Sequence, residues 1–218
     1  MRPQAPLAYV PNGVSAAQRI PPGQSQIDAI RARHGLGRNT VAYVGTMSTI
    51  AHSVDLLIEA FRHVIARVPD AQLLMVGGGN ELPALKALAE THGITNNVIW
   101  TGHIDPAFTA AYLCACQCSV DPVYDRPAMR ARSPLKIVES LALGVPVVTG
   151  AVGDRAEMLA HGRSGILVAP GDPDALATAI IGLLLDHVRR QELSVYALAN
   201  AEQMDWQTLA ERWSQVYE

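Results

Sequence analysis

A short segment of the chain, SPLKIVE at positions 133–139, combines residue types that suit phosphate binding. Ser133 is a good N-cap and Pro134 suits the first helical position, so the segment predicts a helix with Lys136 at its third position. Helix N-termini carry partial positive charge and favour acids there, not cations. A bound phosphate would reconcile the lysine with this position, since helix N-termini bind phosphates well.

Charged neighbours extend this candidate site. The preceding loop, DRPAMRAR, supplies Arg126, Arg130 and Arg132, and Glu139 follows Lys136 on the same helical face. The Glu139 carboxylate is placed to take two hydroxyls of a ribose, which would make the bound anion a nucleotide. The alternative is an ordinary surface helix, in which Lys136 pairs with Glu139 or extends into water.

Composition excludes several other classes of function. The 218 residues carry a net charge of −3, so no basic excess indicates nucleic acid, and no run of about 18 apolar residues predicts a membrane span. We expect Cys114, Cys116 and Cys118 to share one face of a strand in the core and to stay reduced, which fits an intracellular protein. The trio lacks a fourth ligand, and no cluster of Asp or His is visible, so we expect no metal.

Short apolar runs alternate with amphipathic helical stretches along the chain. This order predicts an α/β fold, a Rossmann-like doubly wound parallel sheet of about six strands with helices on both faces. Ligands of such sheets lie beyond the carboxyl ends of the strands, where the glycine turns VGTMS, VGGGN, WTGH and TGAVGD fall. The predicted strands are 41–45, 71–79, 97–102, 116–122, 145–150 and 165–169, and one long helix is predicted over 172–190.

The chain divides into three predicted parts. Residues 1–40, rich in Pro, Gly and Arg, are predicted as a linker and lead-in segment. Residues 41–189 form the predicted Rossmann-like domain. Residues 190–218 are predicted to form two further helices, of which the last begins near Asp205 and carries Trp206, Trp213 and Tyr217.

The segment SPLKIVESLALGVPVVTGAVGDRAEML resembles the nucleotide-sugar-binding segment of group 1 retaining GT-B glycosyltransferases. Members of that family have a helix-opening turn, a Glu, A-x-G-x-PVV, and a glycine turn followed by Glu. YVPNGV at 9–14 is similar to the interdomain signature of the family, and VGTMSTIAHSVDLLIEAF to its first phosphate loop and helix. LLMVGGGN, VIWTGHID and GRSGILVAPGDPDALATAI match later parts, so the resemblance extends from about residue 9 to 218.

The resemblance implies the C-terminal, donor-binding half of a GT-B fold. Such enzymes transfer a sugar from a nucleoside diphosphate sugar, UDP- or GDP-linked, to an acceptor, usually with retention, and use no other cofactor. The acceptor would bind an N-terminal domain absent from this chain, and helices 190–218 would pack back on it. The implied donor-binding residues are Gly45, Thr46, Gly102, His103, Arg132, Ser133, Pro134, Leu135, Lys136 and Glu139, of which Lys136 and Glu139 are the candidate catalytic residues.

Three departures from the family pattern stand out. The first acid of the E-x7-E pair is replaced by Ala131, for which Asp125 is a candidate substitute. The Arg and Lys phosphate ligands of the first loop are absent, with Thr46 in place of the Arg, so Lys136 and a nearby Arg would have to supply their charge. The chain also begins at the interdomain linker, so we expect it to be inactive alone.

Two alternatives remain open at this stage. One is a nucleotide-sugar epimerase of the same architecture, and the other is a non-catalytic module that binds a nucleotide sugar. The resemblance places the protein in the cytoplasm, with the full-length enzyme at the inner face of the membrane in the setting of lipid-linked glycan assembly.

Overall fold

The computed structural model describes residues 9–217, with side chains described as far as residue 215. Its core is one six-stranded sheet in the order β3-β2-β1-β4-β5-β6, in which all neighbouring strands are parallel. This confirms the predicted doubly wound fold. The strands are β1 Thr40–Val44, β2 Gln72–Val76, β3 Val98–Gly102, β4 Cys118–Asp121, β5 Val147–Gly150 and β6 Gly165–Val168.

Helices cover both faces of the sheet. They are α1 Gln24–His34, α2 Thr49–His52, α3 Val54–Arg67, α4 Leu82–Thr91, α5 Thr109–Cys114, α6 Pro127–Arg130, α7 Leu135–Ala142, α8 Arg155–Met158, α9 Pro173–Leu185, α10 His187–Glu202 and α11 Trp206–Tyr217. Successive strand residues alternate between the faces: Val41 and Tyr43 pack with α3, α4 and α9, whereas Ala42 packs with α1 and α5. Helices α7 and α10 share a third cluster, which includes Val14 of the lead-in segment.

The predicted single helix over 172–190 is wrong, because the helix is interrupted between α9 and α10. Asp186 is extended at the break (φ −102°, ψ 91°), and its carboxylate accepts a hydrogen bond of 2.8 Å from the backbone N–H of Arg189. An Asp that caps a helix start in this way begins a new helix instead of continuing the old one.

The three cysteines do not share a strand face. Cys114 ends α5, Cys116 lies in the following loop, and Cys118 begins β4. Cys116 and Cys118 are buried in separate apolar clusters, and Cys114 packs partly against the cluster of Cys116. The expected burial is therefore found for two of them, although the shared face is not.

The predicted division at residues 40 and 190 remains a prediction. The lead-in segment contains α1, which packs on α5. Residue 190 falls within α10, whose buried Leu193, Ala197 and Ala201 face the sheet domain. Trp206 and Trp213 are about half exposed, and the side chain of Tyr217 lies outside the described part.

Candidate functional site

The candidate site lies at the carboxyl edge of the sheet, where β1 and β4 are neighbours. The chain winds in opposite directions from these two strands, which makes the gap between them the topological switch point. Gly45 follows β1, Asp121 ends β4, and Lys136 of α7 reaches into the space between them. A Cβ built on Gly45 would lie 3.0 Å from the Lys136 Nζ, so this close approach requires a glycine (φ 149°).

Helix α7 begins two residues later than Ser133, which corrects the predicted cap. Pro134 occupies the N-cap position in an extended conformation (ψ 116°), so Lys136 is the second helical residue instead of the third. The Ser133 hydroxyl instead accepts a long contact from the Asn12 N–H (3.5 Å), and the Asn12 side chain donates to the Ser133 carbonyl (2.7 Å). Among the described residues, no side chain caps the first turn of α7. The Ile137 amide donates to the Pro134 carbonyl (3.1 Å), which leaves the amides of Leu135 and Lys136 for a ligand.

The Lys136 side chain neither pairs with Glu139 nor extends into water. It is only 15% exposed, and its Nζ lies 3.6 Å from Asp121 Oδ1 and 4.2 Å from the centroid of the Tyr43 ring. Within the described part of the chain, this buried Nζ has no hydrogen-bond partner. Burial lowers the pKa of Lys136, and the carboxylate of Asp121 opposes that effect.

Arg132 brings further positive charge to the loop after β1. Its guanidinium donates to the carbonyl of Ala51 and lies 3.4 Å from Nδ1 of His52. Burial, together with Lys136 and Arg132, lowers the pKa of His52 to about 4, so this histidine is neutral near pH 7. Arg132 therefore contacts the segment after β1, which lacks the Arg and Lys that the family pattern has there.

Two of the predicted contacts, Thr46 and His103, line one cleft with Gly45. This cleft of about 230 Å³ is also bordered by the glycine turn after β2 and by Ile104. His103 packs against Gly78, where a Cβ would lie 2.6 Å from its Nε2. Gly102 adopts a left-handed conformation (φ 70°), which favours a glycine in this turn, and its contact with a donor remains a prediction.

Glu139 lines a separate, larger pocket of about 590 Å³. The pocket lies between the lead-in segment, the start of α5 and the outer side of α7, with Pro106, Thr109 and Gln18 among its lining residues. Burial raises the pKa of Glu139, and nearby Lys136 opposes that effect. Among the described residues, no side chain or backbone group forms a hydrogen bond or ion pair with the Glu139 carboxylate.

Asp121 and Arg155 are site residues that sequence reasoning missed. Asp121 Oδ2 accepts hydrogen bonds from Arg155 Nε (2.9 Å) and from the Thr149 hydroxyl (3.2 Å). Both charged side chains are almost completely buried, with 6% of Asp121 and 3% of Arg155 exposed. The available signal was the acid that ends the strand in SVDP and the cation that follows the glycine turn TGAVGD.

The candidate substitute for the missing acid is already engaged. Asp125 forms a two-pronged ion pair with Arg130, with distances of 2.6 and 2.8 Å, and both side chains are substantially exposed. The described residues contain no group of three or more His, Cys, Asp or Glu side chains that could hold a metal ion. None of the helices found between residues 9 and 217 has the length and apolar character needed to cross a membrane.

Comparison with known proteins identifies the family. The family model for group 1 glycosyl transferases matches residues 38–186. The chain is 32% identical, over 220 residues, to the GDP-mannose-dependent alpha-(1-6)-phosphatidylinositol monomannoside mannosyltransferase of Mycolicibacterium smegmatis. That match covers 98% of this chain and 56% of the relative, and the counterpart from Mycobacterium tuberculosis is 30% identical, with coverages of 97% and 54%.

Solved structures give the same picture. Sucrose-phosphate synthase from Thermosynechococcus elongatus matches with a TM-score of 0.77 at 28% identity, covering 95% of this chain and 51% of that one. HepE of Anabaena, solved with UDP and glucose, matches with a TM-score of 0.81 at 24% identity, covering 95% and 55%. The chain thus spans about half the length of the relatives it matches. It belongs to the group 1 glycosyltransferase family.

Proposed function

We propose that this chain is the donor-binding half of a retaining glycosyltransferase. In this proposal the diphosphate of a nucleoside diphosphate sugar binds at the start of α7, beside Gly45 and Thr46. The nucleoside enters the pocket lined by Glu139. An N-terminal half supplies the acceptor site.

The observation that carries this proposal is the excess of positive charge at the switch point. Lys136 lies within electrostatic range of Arg132, Arg155 and Glu139, and Asp121 is the carboxylate within ion-pair distance of both Lys136 and Arg155. Three cations and two carboxylates leave one positive charge over, next to amides of α7 that no side chain of the described residues caps. Neighbouring positive charges repel one another unless an anion binds between them. A diphosphate carries the required negative charge and also suits the start of a helix.

The pocket at Glu139 has the size and chemistry of a nucleoside site. Its volume of about 590 Å³ falls within the usual range for small-molecule pockets. The carboxylate of Glu139 has both oxygens available for the two hydroxyls of a ribose. Glu139, which lines the pocket, and Lys136 both lie on α7, so this helix fixes the spacing between the ribose and phosphate contacts.

The chemistry follows from the position of the cations. When the bond between the anomeric carbon and the β-phosphate oxygen breaks, the electron pair goes to that oxygen and negative charge grows on the leaving diphosphate. The ammonium of Lys136 and the amides of α7 stabilise this charge more than they stabilise the bound donor. Removal of one such preorganised donor typically slows the reaction by about 10²–10³-fold.

The relatives favour a GDP-sugar, and GDP-mannose in particular. The relative that is 32% identical over nearly the whole chain is named as a GDP-mannose-dependent enzyme, and a relative 33% identical over 172 residues is a D-inositol 3-phosphate glycosyltransferase. The UDP complexes belong to structural neighbours at 24% identity or less. The GDP-mannose-dependent relative is also named for a phosphatidylinositol acceptor. We therefore propose a lipid-linked acceptor and a cytoplasmic enzyme that works at the inner face of the membrane.

Saturation-transfer NMR with the chain tests the donor site directly. The panel contains GDP-mannose, GDP, UDP-glucose, UDP and GMP. We expect GDP-mannose and GDP to bind more tightly than GMP, because GMP lacks the second phosphate, and more tightly than the UDP ligands. Saturation of the ribose protons should be strong in the wild type and reduced in Glu139→Gln.

Transfer is tested after the N-terminal half is joined to the chain. Release of GDP that depends on the acceptor, with an α-linked product, supports a retaining transferase. Isomerisation of the sugar nucleotide would indicate the epimerase alternative, and donor binding without turnover would indicate a binding module. Equal binding of GDP and GMP by the chain would contradict the diphosphate site itself.

A further inference from the structure

Two buried charged residues at the switch point do not face any of the pockets described for the nucleotide. Asp121 ends β4 and Arg155 begins α8, and each is at least nine-tenths buried. Arg155 donates from Nε to Asp121 Oδ2 at 2.9 Å and from its terminal nitrogen to the carbonyls of Met129 (3.2 Å) and Val152 (3.1 Å). These bonds fix the guanidinium in one place.

The two oxygens of Asp121 are used unequally. Oδ2 accepts hydrogen bonds from Arg155 and from the hydroxyl of Thr149. Oδ1 has Lys136 as its ion-pair neighbour, at 3.6 Å, which is too long for a good charged hydrogen bond. The lysine is therefore attracted to the carboxylate but is not held by it.

The shared carboxylate determines how much charge Lys136 can offer to a ligand. If Asp121 had no other partner, a buried carboxylate and a buried ammonium would form a direct pair and cancel each other. Because Arg155 already balances Asp121, the charge of Lys136 is left uncancelled. The Lys136 Nζ, which has no hydrogen-bond partner among the described residues, can then donate to a phosphate oxygen.

We propose that Arg155 is a positioning residue of the diphosphate site and acts through Asp121. Arg155 holds the Asp121 carboxylate so that it does not capture the ammonium of Lys136, which exchanges its long contact with Asp121 for a donor phosphate. This inference rests on the proposed function, because it assigns how the phosphate-binding lysine of that site is kept ready.

A double-mutant cycle tests the proposal. GDP is titrated into the wild type, Arg155→Met, Asp121→Asn and the double variant by calorimetry at pH 6.5, with GMP as the second ligand and the melting temperature recorded for each. In Arg155→Met the freed carboxylate captures Lys136, so we expect GDP affinity to fall by about tenfold or more. In the double variant nothing captures Lys136, so GDP affinity returns to within about threefold of the wild type.

The two possible roles give opposite results. If the pair merely supports the fold, the double variant binds GDP as weakly as Arg155→Met or more weakly, and GMP affinity falls with it. Weak GDP binding by the double variant overturns the proposal, and so does a GMP affinity that falls in parallel. If Arg155→Met does not fold, Asp121→Asn alone tests the proposal. We expect Asp121→Asn to bind GDP at least as tightly as the wild type. Weaker GDP binding by Asp121→Asn overturns the proposal.

The same titrations separate this inference from the proposed function. If the wild type binds GDP no more tightly than GMP, the diphosphate site fails and the inference fails with it. If the wild type prefers GDP but the cycle is additive, the positioning role fails and the diphosphate site stands.

Discussion

At Lys136 two effects act in opposite directions on one ammonium group. Burial disfavours its charged form, while the Asp121 carboxylate and the face of the Tyr43 ring favour it. A cation over an aromatic ring contributes about 0.5–2 kcal/mol, depending on how fully it is desolvated. The group stays buried without a hydrogen-bond partner in the described chain, which costs stability until a ligand supplies the missing acceptor.

His52 should report the arrival of that ligand. Its pKa is lowered from 6.5 to about 4 by burial first and then by the charges of Lys136 and Arg132. A diphosphate bound between these cations offsets their charge, so we predict that GDP raises the pKa of His52. The measurement is an NMR titration of the His52 ring protons with and without saturating GDP.

A histidine far from the site serves as the control in that titration. His92 is the C-cap of α4, which ends near the amino edge of the parallel sheet. Its resonances should not respond to GDP. An unchanged or lower pKa of His52 in the presence of GDP would place the anion elsewhere.

The residue types of the donor site were only partly predictable from the sequence. Lys136 could be identified because a cation in the first turn of a helix is unusual, and that inference needs only local spacing. Asp121 and Arg155 could not be paired, because 34 positions separate them and their contact exists only once β4 and β5 are neighbours. Likewise, only the fold shows that Lys136 turns towards Asp121 and away from Glu139.

At the scale of elements, the loop that carries Thr46 is held by a carboxylate from outside it. Glu81, just before α4, accepts hydrogen bonds from the hydroxyl (2.5 Å) and the backbone N–H (3.0 Å) of Thr49 and from the Ser48 hydroxyl (2.8 Å). These bonds lower the pKa of Glu81. A negative charge at the start of α2 is also favourable for the helix dipole. Glu81 therefore fixes the loop against which the diphosphate is proposed to bind.

We predict that Glu81→Ala loosens this loop. Amide hydrogen exchange over residues 49–52 should become about fivefold faster or more, because the start of α2 loses its acceptor. Glu90→Ala, an exposed change on the same α4, is the matched control. Exchange at 49–52 that is equally slow in both variants would show that Glu81 does not hold the loop.

The same contact predicts a dependence on pH. Since the folded pKa of Glu81 lies below its ordinary value of 4.5, the unfolded chain takes up the proton more readily. The stabilisation is therefore fully present above pH 4.5 and is lost as the pH falls through the lowered folded pKa. In Glu81→Ala the protection factors at 49–52, from which the intrinsic pH dependence of amide exchange is removed, should lack this dependence.

Elements were more predictable from the sequence than their ends. The apolar runs predicted all six strands, because strands buried on both faces need continuous apolar residues. The two wrong helix limits, at Ser133 and at Asp186, have different causes. The Ser133 hydroxyl contacts Asn12, a tertiary contact that the sequence does not show, whereas Asp186 makes a local cap that starts a new helix inside an otherwise helical stretch.

At the scale of the whole molecule, strand order places the charges. The order β3-β2-β1-β4-β5-β6 makes β1 and β4 neighbours, although β1 ends at Val44 and β4 begins only at Cys118. Gly45 and Asp121 therefore both lie at the switch point. The observed sheet confirms the predicted architecture, and the family match confirms the resemblance to group 1 glycosyltransferases. Packing of 190–218 against an N-terminal half remains a prediction.

The affinity for GDP of Lys136→Met, relative to wild type, tests the central claim most directly. The chain has two lysines, and Lys86→Met on the exposed side of α4 removes the same charge away from the site. We predict that calorimetry shows GDP binding at least about tenfold weaker in Lys136→Met, or about 1.4 kcal/mol, with wild-type affinity in Lys86→Met. Equal GDP affinity in wild type and Lys136→Met would contradict the account.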